Sequence, residues 1–156
     1  MTIDAALARL EEAVRLRRGA FCLAALATVA EDRPQVRNVI IRNFSATGLI
    51  LTFFCRSDDA KYREILANPQ VELVVYGRDP DCQIRLAGRA ENISDATSLD
   101  RYWTQVSQTA QRDYVAEGTG PTDGRAALFA AIEVKIERIK VLTFENDRWR
   151  LQERGI

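Results

Sequence analysis

The stretch AAIEVKIERIKVLTF, residues 130–144, restricts the possible folds more than any other. Apolar side chains alternate through Ile132, Val134 and Ile136; the phase then slips by one, and Ile139 and Val141 carry the apolar set onward. A period of two means a strand with one buried face. A one-residue slip inside so long a strand predicts a bulge, the device by which sheets bend. A strand of this length and curvature points to a barrel.

The rest of the chain agrees. AFCLAALATVA (20–30), VRNVIIRNF (36–44) and LILTFFC (49–55) read as strands joined by the short turns EDRPQ and SATG, which predicts an antiparallel meander. VELVVYG (71–77) and CQIRLAGRAENI (82–93) flank the turn RDPD. In the second of these, Ile84 and Leu86 share one face while Gln83, Arg85 and Ala87 share the other. RWRLQERGI (148–156) closes the chain.

Three segments read as helices. In TIDAALARLEEAVRLRRG, Ile3, Leu7, Leu10 and Val14 fall at helical spacing, with Thr2 or Asp4 as cap and Gly19 as stop. SDDAKYREILANP is capped by Ser57 or Asp58, and SDATSLDRYWTQVS by Ser94 or Asp95. AEGTGPTDG (116–124) is the one evident loop. Neither of its flanks could form a core alone, so residues 1–156 read as a single domain. Six or seven strands, three helices and no βαβ alternation predict a mainly β chain, a small antiparallel barrel with peripheral helices.

Composition narrows the chemistry. Lys plus Arg equals Asp plus Glu at 22 each, which gives no support to nucleic-acid or membrane-surface binding and favours a partner surface such as a homodimer. No apolar run reaches the ~20 residues of a membrane span. Cys22, Cys55 and Cys82 are odd in number and widely spaced, which fits a reducing cytoplasm and gives no metal or redox motif. The chain has no histidine, so Ser-His and Cys-His dyads and axial-histidine haem are excluded. Arginine supplies 19 of the 22 basic residues, through either genome composition or bidentate recognition of phosphate and carboxylate.

RNVIIR (37–42) carries an arginine at each end of a core-like strand. Each guanidinium must reach water, a carboxylate or a bound anion. Their odd separation puts Arg37 and Arg42 on opposite faces, roughly 16 Å apart along the strand, so they cannot clamp one phosphate together. In CRSDDAK (55–61), Arg56, Ser57 and Lys61 stand between a strand end and a helix start, where backbone N–H groups attract anions. Asp58 and Asp59 offer the other reading, as helix cap and partners for Arg56. Gln83 is polar in an otherwise apolar strand, and Trp103, Tyr76 and Tyr114 read as packing aromatics.

In order, RNVIIR, the strand–CRSDDAK–helix–NP segment, CQIRLAGRAENIS and the terminal RLQER resemble the pyridoxamine 5′-phosphate oxidase-like flavoproteins over residues 20–154. The segment WTQVSQTAQRDY is similar to the FMN-binding subgroup and not to the biosynthetic oxidase. The resemblance implies a split β-barrel with FMN held at a homodimer interface. It implies that Arg37 and Lys61 hold the cofactor phosphate, with Arg56 and Ser57 beside them. Asn38, Val39, Ile40 and Ile41 would run along the flavin, with Phe54, Cys55, Gln83 and Arg154 as further contacts. Arg42, Tyr102 and Arg150 would meet the substrate. No residue is singled out as catalytic. The implied function is an oxidoreductase acting on a small anionic organic molecule; the alternative is a flavin- or anion-binding module without turnover. The chain departs from the family pattern at Asp59 and Ala60 before the loop lysine, at Val106, and at Gln152 in the closing motif.

Overall fold

The long alternating run forms the strand on which the barrel closes. In the computed structural model, which describes residues 1–119 and 124–156, the strands are β1 (Leu23–Ala30), β2 (Arg33–Ser45), β3 (Ile50–Arg56), β4 (Gln70–Gly77), β5 (Cys82–Asn92), β6 (Phe129–Glu145) and β7 (Arg148–Gly155). They pair antiparallel in the order β3-β2-β1-β4-β5-β6-β7, and β3 also pairs with β6. Six strands therefore close a ring, and β7 extends the sheet beyond β6. The helices are α1 (Ile3–Leu16), α2 (Ala60–Ala67), α3 (Ala96–Trp103) and α4 (Gln108–Gln111). This mainly β barrel with outer helices is the architecture expected, with one short helix more. Residues 120–123 of the expected 116–124 loop lie outside the described residues.

The phase slip is a bulge. Ala87 pairs with Arg138 but Gly88 pairs with Ile136, so Glu137 is the extra residue. The bulge explains the glycine opposite it. A Cβ on Gly88 would lie 2.0 Å from the Lys135 carbonyl oxygen, so any larger residue would force the two strands apart. The freed carbonyl of Glu137 accepts from the Ile156 N–H.

The barrel interior is filled by inward side chains including Leu26, Leu51, Phe53, Ile84, Leu86, Ile132 and Ile139, all essentially without exposed surface. One end is covered by α1 through Leu7, Leu10 and Val14, with Arg9 donating to the Arg78 and Pro80 carbonyls in the β4–β5 turn. The other end is covered by α2 through Ile65, beside the β1–β2 turn. Thr2 caps α1, its hydroxyl accepting from the Ala5 N–H. The helix ends at Leu16, earlier than the Gly19 stop, because Arg17 adopts the left-handed conformation at φ 54°. A second apolar cluster of Phe54, Leu99, Val106, Tyr114 and Phe129 packs α3 and α4 against the outside of β3 and β6.

Candidate functional site

The expected site residues fall into three groups. The first lies at the α2 end of the barrel. Arg37 faces inward opposite Leu26, and its guanidinium donates to the Thr28 hydroxyl (2.6 Å) and to the Glu64 carboxylate of α2 (2.5 Å). The Thr28 hydroxyl donates in turn to the same carboxylate at 2.6 Å. That hydroxyl above all, and the guanidinium with it, holds the Glu64 carboxyl below its ordinary range against the opposing cost of burial. Neither Thr28 nor Glu64 stands out in the sequence, although Thr28 is the lone hydroxyl in AFCLAALATVA.

The loop into α2 completes this group. Arg56 makes a bidentate pair with Asp58 (2.8 Å for both bonds) and donates to the Asp113 carbonyl (2.6 Å). Lys61 pairs with Asp59 at 2.7 Å, and the Ser57 N–H donates to the Leu128 carbonyl. The pairing of Arg56 with an aspartate that CRSDDAK suggested is present, at Asp58. The N-cap residue of α2 is Asp59, not Ser57 or Asp58, and its side chain makes no capping bond. Its carboxylate is taken by Lys61 and by the Arg56 N–H (3.2 Å). Cys55 points into the core, where burial pushes its thiol up to about 12.

The second group stands on the barrel's outer side, towards α1. A register shift between Ile41 and Asn43 leaves Arg42 as the bulged residue of β2. Its guanidinium lies 5.6 Å from the centre of the Phe54 ring, and Tyr102 lies 5.7 Å from the same ring. The structure thus brings Arg42, Phe54 and Tyr102 together. It also separates the two arginines of RNVIIR onto opposite sides of the strand. Val39 and Ile41 are buried in the core, so only Asn38 and Ile40 present side chains outward. Beside them lies a cavity of about 360 Å³ lined by Arg17, Cys22, Leu23, Ile40, Ile41 and Arg42. Sequence reasoning missed Arg17; its signal was a basic turn, RLRRG, directly before the first strand.

The third group is remote from both. Gln83 faces outward on β5 between Tyr76 and Leu142. In the ring β5 stands opposite β2, so one ligand cannot touch Gln83 and Arg42 of the same chain. On β7, Arg154 and Arg150 are paired with Ile139 and Thr143. They therefore lie on the other face of the sheet from Gln83, and Arg154 forms an ion pair with Asp4 of α1 (2.8 Å). Tyr76, Leu142 and Leu151 lie in a row with Gln83 across four strands, and Ile40 sits opposite Leu23. Val36 (67% exposed) and Leu151 (62% exposed) are among the large apolar side chains left in solvent on these outward faces. Among the described residues, no helix is long and apolar enough to cross a membrane.

Residues 10–143 match the family model for pyridoxamine 5′-phosphate oxidase. Curated relatives include a pyridoxine/pyridoxamine 5′-phosphate oxidase of Azorhizobium caulinodans, 30% identical over 74% of this chain and 54% of the relative. Another is the corresponding oxidase of Burkholderia lata, 33% identical over 72% of this chain and 52% of the relative. The chain thus spans about half the length of these relatives. The fold is similar to that of a pyridoxamine 5′-phosphate oxidase-related, FMN-binding protein of Nostoc punctiforme. That match has a TM-score of 0.77 at 19% identity and covers 97% of this chain and 96% of the other. A second similar structure is PhzG of Burkholderia lata in complex with tetrahydrophenazine-1-carboxylic acid. Its TM-score is 0.72 at 16% identity, over 97% of this chain and 91% of the other.

Proposed function

The chain belongs to the pyridoxamine 5′-phosphate oxidase family, and on that premise we propose that it is an FMN-binding flavoprotein that oxidises or reduces a small anionic organic molecule. The observation that carries this reading is the cluster at the α2 end. Arg37 and Lys61 are both held in place there by carboxylates, next to a helix whose first turn has no side-chain cap. A phosphate fits such a cradle, because uncapped N–H groups and the positive end of the helix dipole add to the two side-chain cations. Arg37, Arg56 and Lys61 are matched one for one by Glu64, Asp58 and Asp59. The phosphate therefore competes with resident carboxylates, and FMN is held exchangeably. When bound, FMN supplies a centre for hydride transfer, and the chain's task is to position it and exclude water.

Arg42 and Tyr102, beside the Phe54 ring, would meet the substrate on the outer side. Gln83 would serve the site of a second copy, since β5 stands across the barrel from β2 in its own chain, and Arg150 and Arg154, on the other face of β7, would be contacts that the family resemblance alone supports. The exposed apolar side chains Leu23, Val36, Ile40, Tyr76 and Leu151 support that assembly, because so much outward apolar surface is covered best by a matching surface. We read residues 1–156 as one cofactor-binding domain acting in the cytoplasm, where its three unpaired thiols stay reduced.

The test is an absorption spectrum of the purified chain before and after addition of FMN, followed by titration with NADH and NADPH. A visible flavin band with reduction by either nucleotide supports the oxidoreductase. A flavin band that neither nucleotide bleaches supports the binding module without turnover. A colourless protein that takes up no FMN refutes both.

A further inference from the structure

We infer that Arg9, Arg18 and Arg78 form a binding site for a phosphoryl dianion, either free phosphate or the head of a small phosphate ester. The three side chains line a cavity of about 210 Å³ with Phe21 and otherwise only glycine and alanine. No carboxylate is among the lining residues. Sites that enclose a whole small molecule begin at about 300 Å³, so this cavity admits a head group and leaves any attached body outside. It lies at the α1 end of the barrel, away from the Arg37 cluster at the α2 end, and the inference does not depend on the flavin reading.

The distribution of charge singles this cavity out. Like charges gathered at one cavity repel unless an anion compensates them. Among the described residues, none of the three arginines is in an ion pair. The β4–β5 turn carries Asp79 and Asp81, but neither lines the cavity, and Asp81 accepts from the Tyr76 hydroxyl at 2.6 Å. The C-terminal end of α1 supplies about half a negative charge, against three guanidinium charges. A dianion closes most of that gap, and phosphate oxygens match the paired N–H groups of a guanidinium.

Local structure organises the cluster in advance. Arg9 is half-buried; it donates to the Pro80 carbonyl at 2.8 Å and the Arg78 carbonyl at 2.7 Å, and its guanidinium lies 4.7 Å from the centre of the Phe21 ring. Those bonds use two of its five N–H donors and leave three for a ligand. They also anchor the backbone of Arg78. Glycine at 77 makes room for Phe21, because a Cβ there would lie 2.7 Å from the ring. Arg18 follows the left-handed residue that ends α1, its N–H donating to the Ala13 carbonyl, and Gly19 at φ 80° turns the chain into the 3₁₀ turn Ala20–Cys22. A cluster ordered beforehand lowers the entropic cost of binding. Arg18 and Arg78 are exposed and free to close on an anion. The same turn carries Arg17, Cys22 and Leu23 to the outward cavity beside Ile40, so an anion bound here holds one wall of that cavity in place.

The test follows the backbone amides of Gly19 and Gly77 by heteronuclear NMR in the full chain, as inorganic phosphate, glycerol phosphate or chloride is added at matched ionic strength. Both amides are expected to shift saturably with at least one phosphate probe and not with chloride. The tighter of the two phosphate probes identifies the source, the free anion or a phosphorylated metabolite. Arg18→Gln and Arg78→Gln should each weaken that binding about tenfold, the effect of losing a charge-assisted hydrogen bond. Arg18→Glu combined with Arg78→Glu should abolish it; both side chains are exposed, so the fold is retained. Arg37→Gln combined with Lys61→Gln, which disables the cradle proposed for FMN, should leave the Gly19 and Gly77 response intact. No saturable shift with either phosphate, an equal response to chloride, unchanged affinity in the Arg18 and Arg78 variants, or loss of the response in the Arg37 and Lys61 variant would overturn the inference. Failure of the chain to take up FMN would sink the flavin reading and leave this one standing.

Discussion

Glu64→Gln isolates the contribution of the carboxylate that orients Arg37. Glutamine keeps the shape and one acceptor for the Thr28 hydroxyl, and deletes only the charge. The Arg37 and Glu64 side chains keep 24% and 14% of their surface exposed. The pair therefore lies between an exposed ion pair, worth about 0–1 kcal/mol, and a buried one, whose breakage costs about 3–5 kcal/mol. With the Thr28 bond retained, the loss is the charge-assisted part, about 2 kcal/mol. For a chain of this size that lowers the melting temperature by about 4–8 °C. The pH dependence fixes the sign. The Glu64 carboxyl is depressed in the folded state, so its stabilisation is fully present above the unfolded value of about 4.3. It is lost as pH falls through the lower folded value. Urea unfolding of both proteins from neutral to acid pH should show a gap that is full at neutrality and closes in acid. A variant within about 0.5 kcal/mol of wild type at neutral pH, or a gap that stays constant into acid, would refute the reasoning.

Gly88→Ala places a methyl 2.0 Å from the Lys135 carbonyl oxygen at the β6 bulge. It should cost about 3 kcal/mol or more, or abolish soluble expression, as read by urea denaturation. Arg37→Gln combined with Lys61→Gln should weaken FMN binding at least about tenfold, measured by quenching of flavin fluorescence. Val36→Asp or Leu151→Asp puts a charge into the outward apolar faces and should convert the proposed dimer into monomers in sedimentation velocity. With its thiol pushed up to about 12, Cys55 should resist thiol-specific labelling at mildly alkaline pH until the protein is unfolded.

Local order carried most of the fold. Apolar runs and turn signals located the strands β1 to β6, period-two patterning gave the faces of β5 and β6, and the phase slip in 130–144 located the bulge. These are properties of neighbouring residues along one segment, where alternation dictates which face is buried. The starts of α1 and α3 were legible from their caps, Thr2 and Asp95, whereas the four-residue α4, capped by Ser107, is too short to show a helical period. The start of α2 was not legible, because Asp59 gives its carboxylate to Lys61 and to Arg56 in place of the helix. The three-residue turn Ala20–Cys22, read as part of the first strand, is a 3₁₀ turn that carries Phe21 into the core beside Gly77.

The sequence by itself determined a curled antiparallel sheet, the opposite-sided arginines of RNVIIR, and a chain without histidine chemistry. Only the tertiary structure decided which cations are already paired. Arg37 meets Glu64 from 27 residues away, and Arg17 reaches Gln105 from 88 residues away. Neither meeting leaves a periodic trace. Alternation encodes which way a side chain points, because that is fixed by its own backbone. The partner it finds there depends on how distant strands and helices close around the same barrel.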